Sequence, residues 1–328
     1  MTRYGYFLST EEHGPAELLR QARMAEEAGF EALWISDHFH PWLDEQGQAP
    51  FAWSVIGALS QVTSLPIGTA VTCPLVRTHP AIVAQAAATS AVLTGGRFTL
   101  GVGTGEFLNE HIVDARWPPA AERLEMLEEA VGLIRRLFTG GLVTHRGEHY
   151  RLDTARLYTL PDEPPPIFMS GFGSKAATLA GRIADGFICM MPDADLVKEY
   201  RHSGGEGKPV QGGLKACWGP DEARARETAR RIWGSDYLPG EANQLLPQPR
   251  QFRQLSQLVT DDMVAAQVPC GPDPGVHERA LRAYADAGYD DVFVTQIGPD
   301  AGGFFDFYAG EVLPRLRGGR PAGPHDSP

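Results

Sequence analysis

The stretch Glu31–Trp42, "EALWISDHFHPW", joins two different kinds of sequence end to end. Glu31–Ile35 is a short apolar run of the sort that fills a buried strand. Ser36–Trp42 then spends its positions on an acid, two histidines and two aromatics, where a plain turn needs only Gly, Asn, Asp or Pro. Groups that titrate, donate and stack directly after a strand point to a fold whose strand ends carry chemistry.

The same alternation runs outward in both directions. Before it, Tyr4–Leu8 reads as a strand and Pro15–Ala28 as a helix, with Leu18, Leu19, Ala22 and Ala25 at three- and four-residue spacing. After it come a helix at Ala52–Gln61, a strand at Pro66–Val71, a helix at Pro80–Leu93, a strand at Phe98–Val102 and a long helix at Ala121–Phe138. A hairpin at Leu142–Leu152 interrupts the series, and "PDEPPP" at Pro161–Pro166 marks a sharp re-entry. Strands follow at Ile167–Ser170, Gly186–Cys189, Gly213–Trp218 and Val292–Thr295, with helices at Lys175–Arg182, Asp221–Ile232 and Val276–Ala287. Eight strand-like runs interleaved with helices predict an α/β fold, a (β/α)8 TIM barrel with insertions, as one domain over residues 1–317. A doubly wound open sheet is the alternative the pattern leaves open. Asp236–Gln257 has little periodicity and reads as a mobile lid or a substrate-side insertion. Gly318–Pro328, "GGRPAGPHDSP", reads as a disordered tail.

Hydrophobic residues make up 43% of the 328, enough for one large core, and the formal net charge is -12. So acidic a surface repels phosphate backbones and anionic membranes, which argues against nucleic acid and membrane as partners. An anionic ligand would need a local basic pocket or a helix N-terminus. Cys73, Cys189, Cys217 and Cys270 are scattered without metal-type or CxxC spacing, as expected of reduced thiols in a cytoplasmic protein. The chain opens straight into a strand-like run without a leader, and no stretch is apolar for long enough to span a membrane.

In a barrel the loops leaving the C-terminal strand ends share one mouth. Here they are "SDHFHPW", "TCPLVRTHP", "GTGEFLNEH", "GFGSK" and, after the sixth run, "GFICMMPD". Histidine is the residue type most often used as a general base, and His38, as a loop residue, also has the plainer option of satisfying a carbonyl. Asp37 reads as an N-cap or as a partner to a bound group. Trp42 offers one N–H and a broad face, suited to a ring or to mouth packing. The pair His38 and His40 lacks further metal ligands at the other strand ends, so no metal site is expected. Gly101–Glu106, "GVGTGE", departs from the dinucleotide fingerprint by an acid that would repel a pyrophosphate. Its glycines let backbone approach a planar ligand, with Glu106 aimed at it and Asn109 and Glu110 one turn beyond. Ser170–Lys175 leads into a helix N-terminus, a ready anion site that ordinary turn-and-cap chemistry explains equally well in isolation.

"SDHFHPW", "HPAIVAQAAAT", "GVGTGEFLNE", "AGRIADGFI" and "EVLPRLR", in this order from Tyr4 to about Arg317, resemble the luciferase-like oxidoreductases. The likeness is greatest to the branch that uses coenzyme F420, typified by the F420-dependent glucose-6-phosphate dehydrogenases. The resemblance implies a (β/α)8 barrel, usually a homodimer, with a non-prolyl cis peptide behind the deazaflavin at Ala70–Val71. It also implies hydride transfer from an alcohol or hemiacetal carbon to the deazaflavin C5, with His38 as base, Glu106 at the N1 side of the ring and Trp42 steadying charge. The cofactor contacts it implies are Asp37, Ala70, Val71, Cys73, Thr104, Gly105, Asn109, Gly171, Gly173, Ser174 and Ala177, the phospholactyl tail running toward Lys175. On the substrate side it implies Glu11, Met190 and Asp193. Met190 and Asp193 stand where the sugar-phosphate enzymes carry a threonine and a lysine, and Cys73 replaces a threonine. An FMN-dependent monooxygenase of the same superfamily, a non-catalytic deazaflavin carrier or sensor and a metal-dependent hydrolase are the competing readings.

Overall fold

The computed structural model describes residues 2–238 and 240–318. Ten strands follow in chain order: β1 (Arg3–Leu8), β2 (Leu33–Ile35), β3 (Ile67–Thr69), β4 (Phe98–Val102), β5 (Val143–Arg146), β6 (Arg151–Ala155), β7 (Ile167–Ser170), β8 (Gly186–Cys189), β9 (Val210–Ala216) and β10 (Asp291–Gln296). Eight of them close a parallel barrel in the order β1-β10-β9-β8-β7-β4-β3-β2, while β5 and β6 pair antiparallel as a separate hairpin. Pairing of Arg3 with Asp291 joins the first strand to the last, so the open-sheet alternative is excluded. The expected tail, apart from Gly318, lies outside the described residues.

Side-chain alternation sorts the strand residues between two cores. Tyr4, Tyr6 and Leu8 of β1 turn outward into the shell between strands and helices. Phe7, Trp34, Phe168, Ile188 and Phe293 fill the barrel interior, the Trp34 and Phe293 rings stacked at 4.0 Å. The long helix Ala120–Phe138 buries Leu127, Ala130, Val131, Ile134 and Leu137, one stripe at helical spacing, against this shell. Pro15 and Pro80 open their helices where a missing N–H costs nothing.

Several boundaries depart from the sequence reading for physical reasons. The strand expected at Gly213–Trp218 runs instead over Val210–Ala216. The glycines there resemble turn punctuation, yet Gly213 makes room for Trp34, whose ring would lie 2.7 Å from an added Cβ. The chain from Asp236 onward, read as a mobile lid or a substrate-side insertion, has regular structure. It forms short helices at Ala242–Leu245, Pro249–Ser256 and Asp261–Ala265, the middle one started by Pro249 and a Gln248–Gln251 capping box. Helices at Ala194–Tyr200 and from Ala301 to Leu316 went unanticipated, the latter interrupted by a π-helical turn at Tyr308–Val312. The hairpin braces the site: Tyr150, beside β6, donates its hydroxyl to the carbonyls of Pro74 and Leu75 in the loop after β3.

Candidate active site

Parallel pairing brings the C-terminal ends of all eight barrel strands to one face, so the loops singled out above converge. At its centre stands His38, two residues past Ser36. Its Nε2 lies 3.6 Å from Oε1 of Glu11, the acid after β1, which is only 4% exposed. The other Glu11 oxygen accepts from Ser9 Oγ at 2.9 Å and Ser36 Oγ at 2.8 Å. Trp42 sets its ring 5.4 Å from the imidazole and packs edge-on against Phe252 of the helical insertion. The Trp42 and Leu43 amides donate to Gln46 Oε1, and the Gln46 amide donates to Ile232 O, tying this loop to the helix Glu222–Trp233. His40 turns away, its Nδ1 3.0 Å from Leu108 O and its ring stacked on His111, so the two histidines do not form a pair.

The site's largest buried charge network went unrecognised in the sequence. Arg77, in "TCPLVRTHP", reaches back so that Nη2 donates to Asp37 Oδ1 at 3.2 Å, while Nε lies 3.6 Å from Glu110 Oε1. The Arg77 amide donates to Glu110 Oε2 at 2.6 Å, and Thr72 Oγ1 donates to Asp37 Oδ2 at 2.8 Å. Burial pushes the Glu110 carboxyl up against the pull of Arg77. Both oxygens of Asp37 are therefore engaged by the protein, which makes it a brace between the loops after β2 and β3. A signal was available: an arginine among apolar loop residues, with acids at two other strand ends.

A flat ligand would meet a surface made largely of backbone. The Ala70–Val71 peptide bond is cis, as the resemblance implies, and both residues are half-buried. Gly103 and Gly105 bring the next loop hard against it: an added Cβ would lie 2.7 Å from Val71 Cγ2 at the first and 2.6 Å from Cys73 Sγ at the second. Gly105 also takes φ +73°, which side chains resist. Thr104 and Glu106 flank it, half-buried, and Glu106 makes no capping bond to the short helix Phe107–Glu110. Across the mouth, the helix Ser174–Ile183 begins at Gly173 without any side-chain cap, which leaves its first amides open to an anion. Gly173 and Ser174 are exposed, whereas Gly171 and Ala177 are buried beneath them.

Around Met190 and Asp193, expected on the substrate side, the described residues offer little free positive charge. Met190 lies against Gly213 and the interior aromatic cluster. Asp193 caps the helix Ala194–Tyr200, its Oδ1 accepting from the amides of Asp195 and Leu196 at 3.0 Å. Lys215 follows Gly213 on the inner face of β9; it is paired with Asp236 and lies 4.1 Å from the Trp233 ring. Trp233 Nε1 in turn donates to Glu12, which also accepts from the Gly298 amide at 3.0 Å.

Burial pushes the Glu12 carboxyl up to about 7 from 4.5. An acid raised on folding stabilises fully below its unfolded pKa, and that contribution is lost as pH rises through about 7. Glu12→Gln is therefore expected to abolish a decline on the order of 3 kcal/mol between pH 4.5 and 8. Paired urea melts of the two proteins check this; parallel pH profiles would show that Glu12 does not titrate in that window.

Against known proteins, a family model described as "Luciferase-like monooxygenase" matches residues 2–291. An F420-dependent glucose-6-phosphate dehydrogenase of Nakamurella multipartita is 37% identical, with 96% of each chain covered. An F420-dependent hydroxymycolic acid dehydrogenase of Mycobacterium tuberculosis is 38% identical over 95% of this chain and 88% of its own. Among solved structures, an F420-dependent secondary alcohol dehydrogenase in complex with an F420-acetone adduct superposes with a TM-score of 0.91 at 31% identity, covering 96% of this chain and 99% of its own. The chain belongs to the luciferase-like monooxygenase family.

Proposed function

We infer that this protein is a coenzyme F420-dependent dehydrogenase that takes hydride from an alcohol or hemiacetal carbon. The observation that carries the reading is the His38–Glu11 pair beside Trp42, opposite a glycine cradle and an uncapped helix N-terminus. A carrier or sensor needs no such pair. When bound, F420 supplies the hydride-accepting carbon of its deazaflavin. Ala70, Val71, Cys73, Thr104 and Gly105 would hold the ring, with Glu106 at its edge, and the amides at Gly173 and Ser174 would hold the anionic tail.

The chain's own part is to bind the substrate oxygen, move its proton and keep water out. The first two tasks fall to the His38–Glu11 pair, the third to Trp42 and Phe252. An uncharged alcohol suits this mouth better than a phosphate ester. Met190 is apolar, Asp193 is an acid spent on a cap, and Lys215 is already neutralised by Asp236. Arg253, on the insertion, is exposed and paired with Glu45. The four cysteines are free and buried, which supports a reducing cytoplasm. No helix among the described residues is long and apolar enough to cross a membrane. The homodimer implied by the resemblance completes the reading.

Fluorescence titration with F420 and, in parallel, with FMN tests it. The expected result is tight F420 and weak FMN binding, followed by F420 reduction with secondary alcohols at higher kcat/KM than with sugar phosphates. Preferential FMN binding with oxygen uptake would replace the dehydrogenase with the monooxygenase reading.

A further inference from the structure

We propose that Asn109 fixes the tautomer of His38, and that the proton acceptor for the substrate hydroxyl is consequently Glu11 Oε1. The catalytic part of this rests on the dehydrogenase reading; the tautomer part does not. It also reassigns two residues: the resemblance makes Asn109 a cofactor contact and His38 the base.

The argument begins at the Asn109 amide, which is 2% exposed. Its oxygen accepts from the backbone N–H of Phe39 at 2.9 Å and of His40 at 3.2 Å. Turning the amide over would set an NH2 group against two N–H donors, so the oxygen is held where it is. The amide nitrogen then lies 3.2 Å from His38 Nδ1. A proton on Nδ1 would face that donor, whereas a bare Nδ1 accepts from it. His40 O, 3.3 Å from the same Nδ1, is the weaker competitor because choosing it leaves the Asn109 N–H pointing at another N–H. Neutral His38 therefore carries its hydrogen on Nε2.

Nε2 is the atom that faces Glu11 Oε1 at 3.6 Å. With its hydrogen in place it donates to a substrate oxygen and cannot accept that oxygen's proton. Glu11 is built for the second task. Two serine hydroxyls saturate Oε2, and Oε1 has no hydrogen-bond partner among the described residues. Neither Oε1 nor His38 Nε2 is among the polar atoms sealed from solvent without a partner. A hydroxyl oxygen seated between them would receive one hydrogen bond and give one. In the oxidation, the O–H bond breaks and its proton passes to Glu11 Oε1. The freed electron pair forms the second C–O bond as hydride leaves carbon for the deazaflavin. Asn109 is a positioning residue, because it acts through His38.

The decisive measurement is the ¹⁵N spectrum of protein carrying ring-labelled histidine, recorded above the histidine titration range without cofactor or substrate. His38 is identified by the signals that His38→Gln removes. The expected result is a bare Nδ1 and a protonated Nε2 in the native protein. Asn109→Asp keeps the acceptor for Phe39 and His40 but exchanges the donor for an acceptor, so it is expected to move the hydrogen to Nδ1. A native Nδ1–H, or a tautomer unmoved by Asn109→Asp, overturns the assignment even if the protein binds F420 tightly. Kinetics separate the roles. Glu11→Gln is expected to lower kcat by 10² or more without moving the His38 tautomer, within the usual span for acid–base groups. His38→Gln, which keeps a donor, is expected to exceed His38→Ala at least tenfold, on the order of one lost hydrogen bond to a developing charge. Equal loss in the two His38 variants with full kcat in Glu11→Gln would restore His38 as the base.

Discussion

Replacing His38 with alanine is expected to lower kcat about a thousandfold, in the middle of the 10²–10⁴ range for acid–base groups, while F420 binding stays near native. The imidazole lies between Glu11 and Trp42 at the mouth, 3.6 Å from Glu11 Oε1, which no described side chain hydrogen-bonds. Its removal leaves the substrate oxygen without a donor and widens the gap that Trp42 covers. The fold should survive, because the links of the ring to the rest of the protein are two long contacts at Nδ1 and one at Nε2. Single-turnover reduction of F420 and a binding titration on the same variant check the two halves. Full turnover would show that the mouth described here is not where the chemistry occurs.

The second large effect concerns stability. Arg77→Leu is expected to destabilise the protein by about 3–5 kcal/mol, the usual cost of removing one partner of a buried ion pair. The guanidinium stands between Asp37 and Glu110, whose side chains are 3% and 1% exposed. Leucine fills part of the volume but leaves two buried carboxylates facing each other's field. Neutralising one of them should recover part of the loss, so Arg77→Leu with Glu110→Gln is expected to melt above the single variant. Denaturant unfolding measures both. A single variant within 1 kcal/mol of native would mean that water already reaches these carboxylates.

The Asp37–Arg77–Glu110 network shows why this site was only partly legible in the sequence. His38, Trp42 and Glu106 stood out because each interrupts a local pattern: a titratable or aromatic group where a turn residue would do. Arg77 was a weaker signal, one charge in a largely apolar loop, and its partners lie 40 and 33 residues away. Lys215 lay inside the strand expected at Gly213–Trp218, where nothing local marked it as facing the barrel interior. Glu12 is next to Glu11, yet one faces the mouth and the other Trp233, a difference that only the path of the loop sets. The helical insertion after β9 was unreadable for another reason. Its helices are four to eight residues long, too short for an apolar stripe to repeat, and packing on Trp42 and Trp233 holds them.

Local periodicity and strand-end chemistry, both properties of neighbouring residues, were enough to read eight alternating strands and helices and the loops that carry chemistry, while closure of the sheet was decided by the pairing of the first strand with the last. Even the cis bond at Ala70–Val71 was implied by the family resemblance that these motifs carry. What the tertiary structure decided is the direction of individual hydrogen bonds. Asn109 lies 71 residues from His38, and nothing between them in the chain says which face its amide presents. The backbone amides of Phe39 and His40 decide that, and through it which nitrogen of His38 is bare. A hydrogen bond has a donor end and an acceptor end, and which end faces a distant partner is set only once the loops have closed around it.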